Sequence, residues 1–124
     1  MKKLTLIALA TILSACSMLQ QKTVSGTYQG TLPCADCEKI EAKLELNNDG
    51  TYQYSTIYHK NKEQHPFIEK GTYSWDANKS GVIRLINSDN IAIKVADTYA
   101  EFCDASGNTI NSKKLNYKLQ KVVQ

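Results

Sequence analysis

From Val24 onward the chain alternates apolar and polar residues with a period of two, the pattern of strands that bury one face. Ile40 to Leu46 places Ile40, Ala42, Leu44 and Leu46 on one side and Glu41, Lys43 and Glu45 on the other. Thr51 to His59 stacks Tyr52, Tyr54, Thr56 and Tyr58 in the same way, and Phe67 to Trp75 aligns Phe67, Gly71, Tyr73 and Trp75. Val24 to Leu32 reads as the first strand, with Gly26 and Gly30 suggesting a bend or bulge where a sheet closes on itself. Val82 to Ile86, Ile91 to Ala96 and Tyr99 to Cys103 predict three short strands. Leu115 to Val122 completes the set, presenting Leu115, Tyr117 and Leu119 inward.

The punctuation between these runs is short. Pro33 cannot donate a ladder hydrogen bond and should end the first strand. Asn47-Asn48-Asp49-Gly50 is a hairpin signal, because Asn, Asp and Gly tolerate positive φ. Asn61 to Gln64 reads as a polar loop, Asp76 to Gly81 as a turn, and Asp104 to Lys114 as a loop rich in Ser, Gly and Asn. About eight strands joined by tight turns, with no helical period after residue 23, favour a meander over βαβ units. Eight strands also suffice to close a barrel that side chains fill or that holds one small ligand. The expected fold is all-β, an eight-stranded antiparallel meander barrel of lipocalin-like form with a mostly filled interior; an open sandwich is the fallback.

The N-terminus has a different pattern. Lys2 and Lys3 precede an apolar run, Leu4 to Leu13, broken only by Thr5 and Thr11. That run is about ten residues, short of the roughly 20 that a spanning helix needs, and reads as a signal peptide. It ends in Leu13-Ser14-Ala15-Cys16, which looks like a bacterial lipobox, in which the Cys is lipidated and heads the mature chain. The expected division is a leader over 1–15, lipidated Cys16 with a polar tether over 16–23, and one β-domain over 24–124. Ser17 follows the Cys where an Asp would favour retention at the inner membrane. The expected location is therefore the outer membrane, anchored by lipid and facing the periplasm.

Removing the leader changes the charge balance. With Lys2 and Lys3 gone, 13 basic side chains stand against 12 acidic ones, and the formal net charge falls from +3 to +1. No basic stripe remains, so nucleic acid is not an expected partner.

Four cysteines are present, and lipidation of Cys16 leaves Cys34, Cys37 and an odd one, Cys103. Cys34 and Cys37, three apart in a loop between strands, have three options: a small disulfide in an oxidising compartment, capture of a soft metal, or thiol exchange. No second Cys-x-x-Cys exists to complete a zinc site, so two-coordinate copper(I) is the better-suited metal. Exchange catalysis usually sets the first Cys at a helix N-terminus, which the β-pattern lacks. Asp36 is a poor ligand for copper(I) and is expected to cap the loop by local hydrogen bonds. His59 and His65 flank the polar loop and are the candidate auxiliary ligands. Cys103 is expected to be a buried small hydrophobe. No Ser-His-Asp order, paired-carboxylate motif or phosphate loop appears, and no enzyme is expected.

One stretch is more specific than the rest. Gly26-Thr27-Tyr28-Gln29-Gly30-Thr31-Leu32-Pro33-Cys34-Ala35-Asp36-Cys37, then Ile40, Leu44, Leu46 and Asn48-Asp49-Gly50-Thr51-Tyr52, closely resembles the NlpE N-terminal domain family. Phe67, Glu69, Gly71, Tyr73-Ser74-Trp75, Asp104-Ala105-Ser106-Gly107-Asn108 and Leu115-Asn116-Tyr117 fit its later pattern. The resemblance implies a lipocalin-like barrel anchored to the outer membrane, a role in copper resistance or in reporting envelope and surface-contact stress, and an envelope-stress sensor protein as partner. A monomer is expected. Two departures limit it. The best-known members carry a second, OB-like domain, whose functions cannot be carried over to this chain. Position 103 is Cys where a larger apolar residue would be expected.

Overall fold

The computed structural model describes residues 24–110 and 115–122, and every regular element in that range is a strand. In chain order these are β1 (Gly26–Leu32), β2 (Lys39–Leu46), β3 (Thr51–Lys60), β4 (Glu63–Trp75), β5 (Val82–Leu85), β6 (Ile91–Val95), β7 (Tyr99–Phe102) and β8 (Lys118–Lys121). Each pairs antiparallel with the next, and β8 returns to β1 to close a barrel in meander order. The expected topology is the observed one. The lipobox Cys16, the tether and residues 111–114 lie outside the described range.

The period-two pattern predicts the inner wall well. Tyr28, Leu44, Tyr52, Ile83, Leu85, Ile93 and Leu119 are fully buried, with Ala42, Leu46 and Ala100 beside them. Each large apolar side chain so buried stabilises the barrel by about 1.5–3 kcal/mol relative to exposure. Closure rests on a missing side chain at Gly30, since a Cβ there would sit 2.9 Å from the Lys118 carbonyl oxygen of β8. Gly50 turns the β2–β3 hairpin at φ +87°, and Asp49 accepts hydrogen bonds from the Thr51 amide and hydroxyl.

The largest difference from expectation lies in the β3–β4 hairpin. The polar loop over Asn61 to Gln64 is instead a two-residue turn, Asn61 and Lys62, at φ 54° and 65°. Two successive positive φ values suit the right-handed twist of a hairpin, so β3 and β4 stay paired up to Lys60 and Glu63. β4 therefore runs 13 residues and passes straight through Pro66.

The hydrogen-bond pattern explains how. The Tyr73 amide donates to Gly50 on the β3 side, whereas the Thr72 amide donates to Asn87 Oδ1 and the Thr72 carbonyl accepts from Ile86, away from β3. The register is unbroken from residue 63 to 72, so the backbone groups of Gln64, Pro66, Ile68 and Lys70 also point away from β3. Pro66 has its missing N–H on that outer edge, where no ladder needs it.

Three apolar positions expected inside are not. Phe67 and Trp75 are 57% and 49% exposed, and Leu115 is 48% exposed. β4 meets β5 only over Tyr73–Trp75, so the inward face of β4 at Phe67 has no opposite wall. Trp75 ends its strand, at the mouth of the 76–81 turn. β8 begins at Lys118, three residues later than the alternation suggests, which leaves Leu115 outside the barrel.

Candidate functional site: the cysteine loop and the open flank of the barrel

The gap beside β4 is a cleft of about 650 Å³. Tyr54 and Thr56 of β3 form its floor, Phe67 and Glu69 of β4 one wall, and Asp89 and Ile91 the other. Tyr58 packs edge-on against Phe67, with ring centroids 5.4 Å apart, and so holds an aromatic pair at the opening. Burial pushes the Tyr54 hydroxyl well above its usual range, and the neighbouring Glu69 carboxylate adds to the shift. That tyrosine is neutral at any physiological pH.

The cysteine loop sits at the lip of this cleft, to which it contributes Asp36 and Cys37. Pro33 and the bends at 35–38 turn the chain from β1 into β2, and the Glu38 amide anchors the end of the turn on the His59 carbonyl. Within the turn Cys34 and Cys37 form a disulfide, their Cα atoms 5.4 Å apart. Among the described residues, the donor atoms of Cys34, Asp36 and Cys37 are the one His/Cys/Asp/Glu group close enough to hold a metal, all within 4.8 Å.

Asp36 does not cap the loop as expected. Its carboxylate lies 3.7 Å from Cys34 Sγ and 3.7 Å from the Lys60 ammonium at the tip of β3. An exposed carboxylate beside a flexible ammonium finds its ion pair without a turn amide. The pair links the loop to the β3–β4 hairpin.

The two histidines do not act together. On β3 the even positions face inward, so His59 points outward and pairs at 3.0 Å with Glu41. That hydrogen bond holds the Glu41 carboxyl below its usual range. His65 stands opposite Tyr58 on the inward face of β4 and lines the cleft, near enough to Glu63 for a 3.8 Å contact. The pairing of His59 with Gln64 and of Tyr58 with His65 places positions 59 and 65 on opposite faces of one hairpin. Only His65 shares a space with Cys37.

Cys103 is a free thiol, half-buried just past β7, where its amide bonds the Ala92 carbonyl and its backbone bridges Thr109. Burial raises its pKa, so it is a poor nucleophile. Sequence reasoning missed the cleft. Its one local signal is Pro66, which reads as an edge position only once β4 is known to continue on both sides of it.

Comparison with known proteins agrees with this geometry. The model of the NlpE N-terminal domain matches residues 28–113. Lipoprotein NlpE of Escherichia coli K12 is 32% identical over 109 residues, covering 87% of this chain and 45% of that protein. A 17 kDa lipoprotein of Treponema pallidum is 34% identical over 61 residues, 48% of this chain and 38% of that one. The chain thus spans less than half the length of these curated relatives. Among solved structures, a Shewanella oneidensis protein described as a lipoprotein superposes with a TM-score of 0.70 at 34% identity, over 78% of this chain and 87% of that one. The Cpx pathway activator NlpE of Escherichia coli superposes with a TM-score of 0.59 at 30% identity, over 72% of this chain and 46% of that one. With the family model matching residues 28–113 and 32% identity to Lipoprotein NlpE over most of its own length, the chain belongs to the NlpE family, matching its N-terminal domain.

Proposed function

We propose that this protein is a lipid-anchored envelope lipoprotein of the outer membrane that reports envelope stress to a sensor protein by direct contact, and that its Cys34–Cys37 loop makes the report sensitive to copper or redox state. The observation that carries the reading is the loop itself, a half-buried disulfide at the lip of a cleft and tied to the neighbouring hairpin through Asp36 and Lys60. The relative described as a Cpx pathway activator supports the signalling part, and the lipobox at Cys16 supports the anchor.

The chemistry of the loop fits copper(I) in one state only. As a disulfide its sulfurs carry no thiolate and hold no metal. Reduction by a thiol reductant adds two electrons and two protons and yields two thiols, and loss of both protons on binding gives two soft donors suited to copper(I). Asp36 supplies a hard oxygen and contributes charge rather than a bond. His65 is the imidazole on the same side of the sheet. No enzymatic role is proposed.

The test is a copper(I) titration of the reduced full chain against a competing chelator, with thiols counted before and after reduction and a Cys34→Ser/Cys37→Ser control. One copper bound per chain, lost in the control, is the expected result, together with a copper-dependent envelope-stress reporter in cells. Absence of binding by the reduced protein would leave the loop a structural brace. A second reading, a carrier of one small apolar ligand, is favoured by the aromatic lining of the cleft at Tyr58 and Phe67. Mass spectrometry of gently purified protein would detect a co-purifying lipid.

A further inference from the structure

The outer edge of β4 is an unfinished ladder. Ile68 and Lys70 direct their amides and carbonyls, and Pro66 its carbonyl, into the gap beside the cleft, where no amide donates and no carbonyl accepts a hydrogen bond within the described residues. Below them the edge is completed by the chain itself, through Asn87 on the Thr72 amide and Ile86 on the Thr72 carbonyl. The free stretch is about five residues long, from Pro66 to Lys70, or about 16 Å at the rise of a strand.

We propose that this edge is a docking site for an extended strand of a partner protein, which adds to β4 and lays its side chains in the cleft. The claim deepens the contact-signalling reading above, on which it rests, by naming how the partner is held. Two features favour a strand over a small apolar molecule. An apolar ligand would remove water from the Ile68 and Lys70 backbone groups and return no hydrogen bond, whereas a strand supplies both donors and acceptors. The cleft also carries Glu69 on one wall and Asp89 on the other, neither with an ion-pair partner among the described residues, above the Tyr54 and Thr56 floor and beside Phe67 and Ile91. That combination suits a strand with a Lys or Arg side chain between the acids and an aliphatic residue beside Phe67 and Ile91. A second copy of this chain fits poorly, because pairing β4 on itself about Ile68 would set Glu69 opposite Phe67 and bring further acids to the cleft.

The edge can be tested without touching the barrel. Ile68→Pro removes one outward amide from a position that β3 does not use, as Pro66 already does, while Ile68→Thr changes the side chain and keeps the amide. The probe is a blocked Thr-Val-Lys-Val-Thr peptide added to purified full chain, read by amide shifts and by affinity. Binding should move the signals of residues 64–70 and weaken about tenfold in Ile68→Pro, with Ile68→Thr close to the parent. Glu69→Gln/Asp89→Asn, or a Glu in place of the peptide Lys, should also weaken it. Thermal melts confirm that each variant is folded.

Failure of the peptide to bind, unchanged binding to folded Ile68→Pro, concentration-dependent self-association through residues 64–70, or a lipid seated in the cleft would each overturn the proposal. In cells the two readings separate. A stress reporter that still responds with Ile68→Pro discards the strand and keeps the signalling role. A chain that binds the peptide yet never reports stress discards the signalling role alone.

Discussion

The Tyr52 hydroxyl lies 2.6 Å from Ser88 Oγ, both groups buried and 36 residues apart in the chain. The pair ties β3 to the turn after β5 across the barrel. It marks the level at which the wall closes. Tyr52 stands opposite Gly71, and a Cβ at Gly71 would run into the side chain of Asn87. Beyond this point β4 continues alone on one side, and the cleft opens.

Tyr52→Phe should therefore cost more than a surface change. It strands the buried Ser88 hydroxyl, an expected loss of about 1–3 kcal/mol by denaturant melt. Tyr52→Phe/Ser88→Ala should cost less than the sum of the single changes, since removing both hydroxyls leaves nothing unsatisfied. Additive costs would mean that the bond does not form in solution.

Gly71→Ala should destabilise by about 1–3 kcal/mol through overpacking against Asn87, which cannot retreat without releasing the Thr72 amide. Asn87→Ala makes room but leaves that amide uncapped. The double variant should be closer to Asn87→Ala than to the sum, as read by thermal unfolding.

Burial contrasts between β2 and β4 are equally sharp. Leu44→Ala, at a fully buried position, should cost about 2–5 kcal/mol. Phe67→Ala, more than half exposed on the open flank, should change stability by about 0.5 kcal/mol or less. A large loss at Phe67 would mean that the flank is closed in solution.

Acid unfolding should begin near pH 4. Asp76 is held below its usual carboxylate value of 3.8, first by the Asn78 amide and then by the Arg84 guanidinium 2.8 Å away. A depressed pKa in the folded state means that the unfolded chain takes up the proton first. Its stabilisation is complete above pH 3.8 and is lost as pH falls through the lower folded value. Glu41, held down by the His59 hydrogen bond, and Asp49, held down by the Thr51 hydroxyl, act in the same direction. Asp76→Asn should melt several degrees lower at pH 7, with the difference shrinking toward pH 2.5.

Reduction of Cys34–Cys37 should leave the barrel folded. The disulfide closes a loop of only four residues, for which chain entropy gives about 2 kcal/mol or less. A far-ultraviolet spectrum unchanged on reduction, with a modestly lower melting point, is the expected outcome. Unfolding on reduction would make the loop a structural necessity and weaken the case for a sensor.

The sequence by itself determined the class of fold, because a two-residue period and tight turns are local properties. Ala42, Leu44, Leu46 and Tyr52 are inside as their alternation requires, and Gly30 lies at the seam where β1 meets β8. It also determined which thiols could meet in a disulfide, since Cys34 and Cys37 stand close along the chain whatever surrounds them. Tertiary structure alone decided how far each strand is paired. Alternation specifies a face, but a face is buried only if another strand stands across from it. β5 meets β4 over three residues and no more, so Phe67 is exposed and the backbone of Ile68 and Lys70 is left open. The same pairing set His59 and His65 on opposite sides of one hairpin and brought only His65 to the cysteine loop's cleft.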